Sequence, residues 1–269
     1  MHLGRERVIG CWQVDDVLID PGPTSCVPTL IEALGEDFEP RALLLTHIHL
    51  DHAGATGTLV ERWPAAEVYV HERGAGHMTD PARLVESATR LYGEDMDRLW
   101  GEMRPVPEAN LRILSGGETI LDGAYDVAYT PGHASHHVSY RHGTTAFVGD
   151  VGGVRISEGG MTIPPTPPPD IDVEAWHQSI ALVRGWAPER LAMTHFGAGE
   201  DPPAQLIELE ARLDEWAELA RELDRDGFIA EVQAQIRRQA SAEQAATYQQ
   251  AAPVEQLYAG YERYWSKRG

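Results

Sequence analysis

The stretch THIHLDHAG, residues 46–54, places His47, His49, Asp51 and His52 within six positions, directly after the apolar run Ala42-Leu43-Leu44-Leu45. That run reads as a buried strand, and Gly57 to Trp63 behind the motif reads as a helix. Four titratable side chains at the end of a buried strand are costly unless something pairs with them. Residues two apart in an extended segment point to the same side, so His47 and His49 can chelate one ion. Asp51 and His52, at the turn into a helix, can face a neighbouring one. The segment predicts a metal centre whose remaining ligands lie elsewhere in the chain.

Outward from the motif, Arg7 to Gln13 and Asp16 to Asp20 read as strands, Val27 to Leu34 as a helix and Glu67 to Val70 as a strand. The order βαβαβ predicts an α/β layered domain. Residues 72–108 read as two helices broken near Gly93. A strand-rich half follows, with short segments at 111–117, 118–123, 125–130, 137–142 and 144–149 separated by turns. Asp172 to Trp186 reads as a helix capped by Asp170 or Asp172, and 190–195 as a last strand. The run PPTPPPD (164–170) is stiff and poor in backbone donors. It reads either as a surface connector or as a rigid wall beside a site.

From Asp201 the composition shifts. Leu206, Leu209, Leu213, Trp216, Ala220 and Leu223 recur at spacings of three and four, one apolar stripe on a long helix. One or two more helices are expected after Gly227, ending in an aromatic stripe of Leu257, Tyr258, Tyr261, Tyr264 and Trp265. Packing on the main domain is the default for that stripe; the mouth of a site or a homodimer interface are the other readings. The expected organisation is a catalytic domain over 1–200 and a C-terminal helical extension over 201–269.

The chain has 269 residues, a formal net charge of −20, and one lysine, Lys267. Nucleic acids and anionic membranes both need a basic face, so neither is expected as a partner. A small-molecule substrate is expected instead. The first residues show no apolar signal-peptide core, and no stretch of about 18 apolar residues appears. Cys11 and Cys26 are too few for a disulfide framework and read as reduced, buried thiols. A cytoplasmic location follows as the expectation.

Further ligand candidates stand where apolar runs meet glycine: His133 in TPGH, Asp150 in FVGD and His195 in MTHFG. With the opening motif they make seven oxygen or nitrogen ligands, a number that suits two metal ions with open positions. THIHLDH, the Gly132-His133 pair, the Gly149-Asp150 pair and the Thr194-His195 pair, in that order, resemble the metallo-β-lactamase superfamily. The resemblance spans about residues 8–197. It implies a four-layer αββα sandwich of two mixed sheets with the site at one edge. It also implies that His47, His49 and His133 bind a first metal, that Asp51, His52 and His195 bind a second, and that Asp150 bridges both. Zinc is the first choice, with iron or manganese also suited to such ligands. LIDPG matches the superfamily's first motif, so Asp20 would be a carboxylate that holds the ligand loop; a buried cap or turn residue is the other reading.

TPGHASHHVSY resembles the corresponding segment of glyoxalase II and the acyl-homoserine lactonases. There His137 would support the ligands from behind. His136 replaces the usual glycine; it reads either as an extra imidazole near the cleft or, by default, as a surface or strand-facing residue. Neither cysteine sits in a ligand motif, and no GxSxG appears. The expected function is therefore hydrolysis of a thioester, lactone or ester by a metal-bridging hydroxide, with Asp51 orienting it and taking its proton. The alternatives are a true glyoxalase II or a mononuclear iron oxidoreductase of the persulfide dioxygenase type. His71, Arg73 and His77 read either as a surface loop or as pocket lining; Tyr92, Tyr129, Tyr140, Arg155 and Arg184 are unplaced candidates for the substrate side.

Overall fold

The structure, a computed structural model, describes residues 2–268. The opening hairpin pairs β1 (Trp12–Val14) with β2 (Val17–Ile19), with Val14 opposite Val17. Three parallel strands extend it, and parallel pairs need long crossovers. α1 (Val27–Leu34) leads to β3 (Ala42–Leu44). α2 (Leu50–Ala53) and α3 (Thr56–Arg62) lead to β4 (Glu67–His71). α4 (Glu72–Thr79), α5 (Ala82–Tyr92) and α6 (Met96–Trp100) lead to β5 (Leu111–Leu114). The first sheet has the order β1-β2-β3-β4-β5.

The second sheet begins with β6 (Thr119–Ile120), β7 (Tyr125–Tyr129), β8 (Val138–His142) and β9 (Thr145–Phe147), an antiparallel meander. After α7 (Val173–Gly185), β10 (Arg190–Met193) joins β9 in parallel and β11 (Gly197–Gly199) closes the edge. The order is β11-β10-β9-β8-β7-β6, so both sheets are mixed. Four helices complete the chain: α8 (Pro202–Glu222), α9 (Arg225–Gln239), α10 (Ala242–Ala251) and α11 (Val254–Ser266).

Side-chain alternation along the strands makes the layers. Val17, Ile19, Ala42, Leu44 and Tyr69 meet Tyr125, Val127, Val138, Tyr140, Phe147 and Ala192 in the inter-sheet core. Their sequence neighbours Leu18, Leu43, Val68 and Val70 turn outward onto the crossover helices. The outer face of the second sheet, with Ala146, Val148, Leu191 and Met193, packs with Trp176, Leu209, Leu213, Trp216, Leu257 and Tyr261. The αββα sandwich expected from the sequence is the fold observed, and the aromatic stripe of α11 packs on it. Among the described residues no helix is long and apolar enough to cross a membrane.

Two helix expectations need correction. Residues 72–100 hold three helices, not two: α4 starts directly at the end of β4, where the His71 side chain accepts a hydrogen bond from Arg73 N and buried Met78 anchors the far end. The two glycines of ERGAGH disguise it, because glycine lowers helix propensity and tertiary burial overrides it. Three helices follow α8, not one or two, and Gly227 lies inside α9. Asp224 caps that helix by accepting from Gly227 N at 2.9 Å, and Ser241 with Gln244 forms a capping box for α10.

Trp216 is fully buried and its Nε1 donates to Gln235 Oε1 at 2.9 Å, joining α8 to α9. Trp216→Ala is expected to cost about 3–5 kcal/mol in a urea melt. A loss below about 1 kcal/mol would show that α8 packs more loosely than described.

Candidate metal centre

Every ligand candidate follows a strand end on one edge of the sandwich. Asp20 follows β2, the 46–52 segment follows β3, His133 follows β7, Asp150 follows β9, and His195 follows β10. Two bonds tie the sheets together at this edge: Val138 N donates to Thr46 O at 2.8 Å, and Tyr140 Oη to Leu45 O at 2.7 Å. The structure brings all seven candidates together, in three overlapping groups of possible ligands: His47, His49 and His133; His47, His52 and Asp150; Asp51, His52 and His195.

In the first group the His47 Nε2 and His133 Nε2 atoms each lie 3.0 Å from His49 Nδ1. Their tautomers are set from behind. His133 Nδ1 donates to Pro165 O at 2.8 Å. The Thr46 hydroxyl donates to Asp20 Oδ2, so it accepts from His47 Nδ1 at 3.1 Å. Both Nε2 atoms therefore carry lone pairs aimed at His49. Burial, reinforced by the neighbouring imidazoles, pushes His47 well below its usual pKa and His49 down to about 4.

The side of the site that holds Asp51, His52 and His195, called the second group from here on, is organised by Asp20, which takes a left-handed conformation (φ +49°) that turns its carboxylate under the motif. Its oxygens accept from Thr46 N (2.8 Å), Thr46 Oγ1 (2.7 Å), His52 Nδ1 (2.8 Å) and Thr194 Oγ1 (2.8 Å). His52 Nε2 then faces Asp150 Oδ1 at 3.3 Å and Asp51 Oδ2 at 3.8 Å. His195 Nδ1 donates to Val8 O, and its Nε2 lies 3.1 Å from Asp51 Oδ2 and 3.6 Å from Asp150 Oδ1. Asp150 Oδ2 lies 3.3 Å from His133 Nε2, so its two oxygens reach both groups. Burial alone would depress His52, but Asp150, Asp20 and Asp51 hold it well above its usual pKa. Burial alone would raise the Asp51 carboxyl, but His52 and His195 hold it below its usual range.

These donors fit metal ions. Three imidazole nitrogens, at least two of them bare lone pairs, converge where no hydrogen could satisfy them all. Nitrogen ligands on one tetrahedral ion, with bonds of about 2.0–2.1 Å, lie about 3.3 Å apart, close to the spacing here. In the second group His52 Nε2 and Asp150 Oδ1 are buried without a hydrogen-bonding partner, and three clustered carboxylates call for positive charge. His137 stands behind His47, its ring stacked at 5.1 Å and its Nδ1 paired with Thr130 Oγ1 at 2.9 Å. It is outside the ligand groups.

Several residues stand elsewhere than expected, or are new. His136 is half-buried at the site's edge: its Nδ1 accepts from Ile48 N at 3.4 Å and its ring stacks 6.1 Å from His47. Gly74 of α4 lies beside it, where an added Cβ would crowd the Ile48 side chain at 2.8 Å. His71 stacks on Tyr129 at 4.5 Å and Arg73 sits over the same ring; neither belongs to the candidate ligand groups. Tyr140 is in the inter-sheet core, Arg155 reaches Gln205 and Arg184 reaches Glu210.

Thr46 and Thr194 stand in the quoted motifs, each directly before a candidate ligand histidine, but were given no role from sequence; the carbonyls of Val8 and Pro165 carry no signal there. Trp176 was also missed. Its ring edge meets His133 at 5.7 Å and its Nε1 donates to Val151 O at 3.1 Å. A Cβ at Gly132 (φ +133°) would overlap the Trp176 backbone, so glycine is needed beside His133.

Residues 15–195 match the sequence model of the metallo-beta-lactamase superfamily. ST1585, a metallo-beta-lactamase fold-containing protein of Sulfurisphaera tokodaii, is 28% identical over 192 residues, 70% of each chain. Its crystal structure shares the fold with a TM-score of 0.69 at 22% identity, over 95% of this chain and 93% of that one. YflN of Bacillus subtilis, named a probable metallo-hydrolase, is 31% identical over 73% of this chain and 82% of its own. The hydroxyacylglutathione hydrolase of Buchnera aphidicola is 31% identical over 136 residues, which are 50% of this chain and 41% of that enzyme. Matched over residues 15–195, which hold all seven candidate ligands, this chain belongs to the metallo-beta-lactamase superfamily of metal-dependent hydrolases.

Proposed function

We propose that the chain is a dinuclear metallohydrolase that cleaves a carbonyl ester-type bond (thioester, lactone or ester) in a small molecule. The observation that carries this reading is Asp150, one oxygen of which faces His133 and the other His52 and His195. His47, His49 and His133 would hold one ion, Asp51, His52 and His195 the other, and Asp150 would lie between; zinc, iron and manganese all suit this set. When bound, such ions lower the pKa of water towards neutrality and polarise a carbonyl oxygen.

The protein's own part is positioning and proton transfer. Asp51 is the accessible carboxylate, its side chain 21% exposed against 5% for Asp150. It is placed to orient an attacking water and take its proton. Asp20, Val8 O and Pro165 O fix the imidazoles so that their lone pairs stay aimed inward. The name of the Buchnera relative favours an acyl-glutathione thioester within the proposed class.

Removing metal with a chelator should abolish hydrolysis of a panel of thioesters, lactones and aryl esters, by about 10²-fold or more, and added zinc, manganese or iron should restore it. Oxygen uptake with a persulfide and a single iron would replace this reading with the oxidoreductase one. Chelator-resistant hydrolysis would remove metal dependence altogether.

A further inference from the structure

We infer that α11 is a positioning element of the first metal-ligand group: through the proline-rich loop it holds the Pro165 carbonyl against His133. The inference rests on the metal-binding reading above. The first part of the loop is buried rather than a surface connector: Pro165 and Thr166 are covered by the chain, while Pro169 is exposed. On one side Pro165 O accepts from His133 Nδ1 at 2.8 Å. On the other, one residue away, Thr166 Oγ1 donates to Leu257 O of α11 at 3.1 Å. A Cβ at Gly260, one turn further along α11, would overlap the Thr166 carbonyl oxygen. The end of α11 closes the clamp, with Arg263 Nε at 3.1 Å and Lys267 Nζ at 3.0 Å from Pro169 O.

The physical chain is short. Proline removes backbone donors from the loop, so it holds no sheet-like ladder of its own and takes its place from what grips it. Thr166 and Gly260 supply that grip from the helix side. The gripped carbonyl sets the His133 tautomer and ring angle, and such partners behind a ligand tune metal affinity by about 10–100-fold. The C-terminal helices thereby reach the centre without contributing a ligand. His195, His52 and Asp51 have no partner in this loop, so the effect falls on one group only.

The test measures metal release. Holoprotein carrying Asp51→Ala, in which the first group is left to hold metal, is mixed with excess chelator and zinc loss is followed with time. Thr166→Val keeps the side-chain shape and removes the donor; it should speed release about tenfold, and Thr166→Ser should restore the slow rate. Gly260→Ala should speed release at least as much. Should Gly260→Ala fail to fold, Thr166→Val decides. A lower melting temperature with unchanged release would overturn the inference, because it would make the clamp merely structural. Absence of bound metal from the unmodified chain would overturn the metal-binding reading itself, and the inference with it.

Discussion

Asp51→Ala is expected to lower kcat/KM by about 10²–10⁴-fold, the range lost with a general base, while the fold persists. Asp51 combines two roles that are separate at the other positions. It faces His195 at 3.1 Å and His52 at 3.8 Å as a candidate ligand, and it is the carboxylate that substrate can approach. Its side chain is partly exposed and its one hydrogen-bonding contact is with His195 Nε2, so truncation leaves little cavity and frees a single buried imidazole nitrogen. Circular dichroism should show an unchanged spectrum, and elemental analysis should show about one metal equivalent lost. His52→Ala should lose the same metal with a larger stability penalty, because it leaves Asp20 short of one of its four donors. Turnover of either variant at the unmodified rate would contradict the assignment of the second group.

The second large effect is expected at a residue that touches no metal. Asp20→Ala should destabilise the metal-free protein by about 3–5 kcal/mol, the usual cost of breaking a buried charged network by removing one partner. It should also remove the second metal. The carboxylate is 1% exposed and gathers three segments that are remote in sequence. Without it Thr46 N, Thr46 Oγ1, His52 Nδ1 and Thr194 Oγ1 are buried donors with no acceptor, each costing about 1–3 kcal/mol, not additively. Asp20→Asn should fall between, since one amide oxygen can accept only part of that set. Urea melts of the metal-free proteins measure this without interference from binding. A change within 1 kcal/mol for Asp20→Ala would show that the ligand loop is held by something else.

The seven candidate ligands were legible in the sequence because they sit at strand ends marked by an apolar run and a nearby glycine. The α/β layering was legible from short apolar runs separated by turns and helices, while the four-layer sandwich came from the resemblance of the motifs to the superfamily. What supports the ligands was less so. Val8 and Pro165 act through main-chain carbonyls, which any residue type could supply. Trp176 reaches His133 because Gly132 leaves room for its backbone, and a glycine's neighbour in space is not written beside it. The helix count failed at α4 and after α8 for a related reason: the two glycines of α4 made it read as a loop, and Gly227 read as a break although it lies in the first turn of α9, capped by Asp224. The proline-rich run was left between connector and wall because its partners on α11 are about 90 residues away.

The most direct test is metal titration of the stripped protein with hydrolysis and binding followed together. Two equivalents of zinc or manganese per chain should bind, with hydrolysis rising towards its limit as the second is filled. Saturation of both binding and hydrolysis at one equivalent, or full hydrolysis with none, would contradict a centre of two ions joined at Asp150.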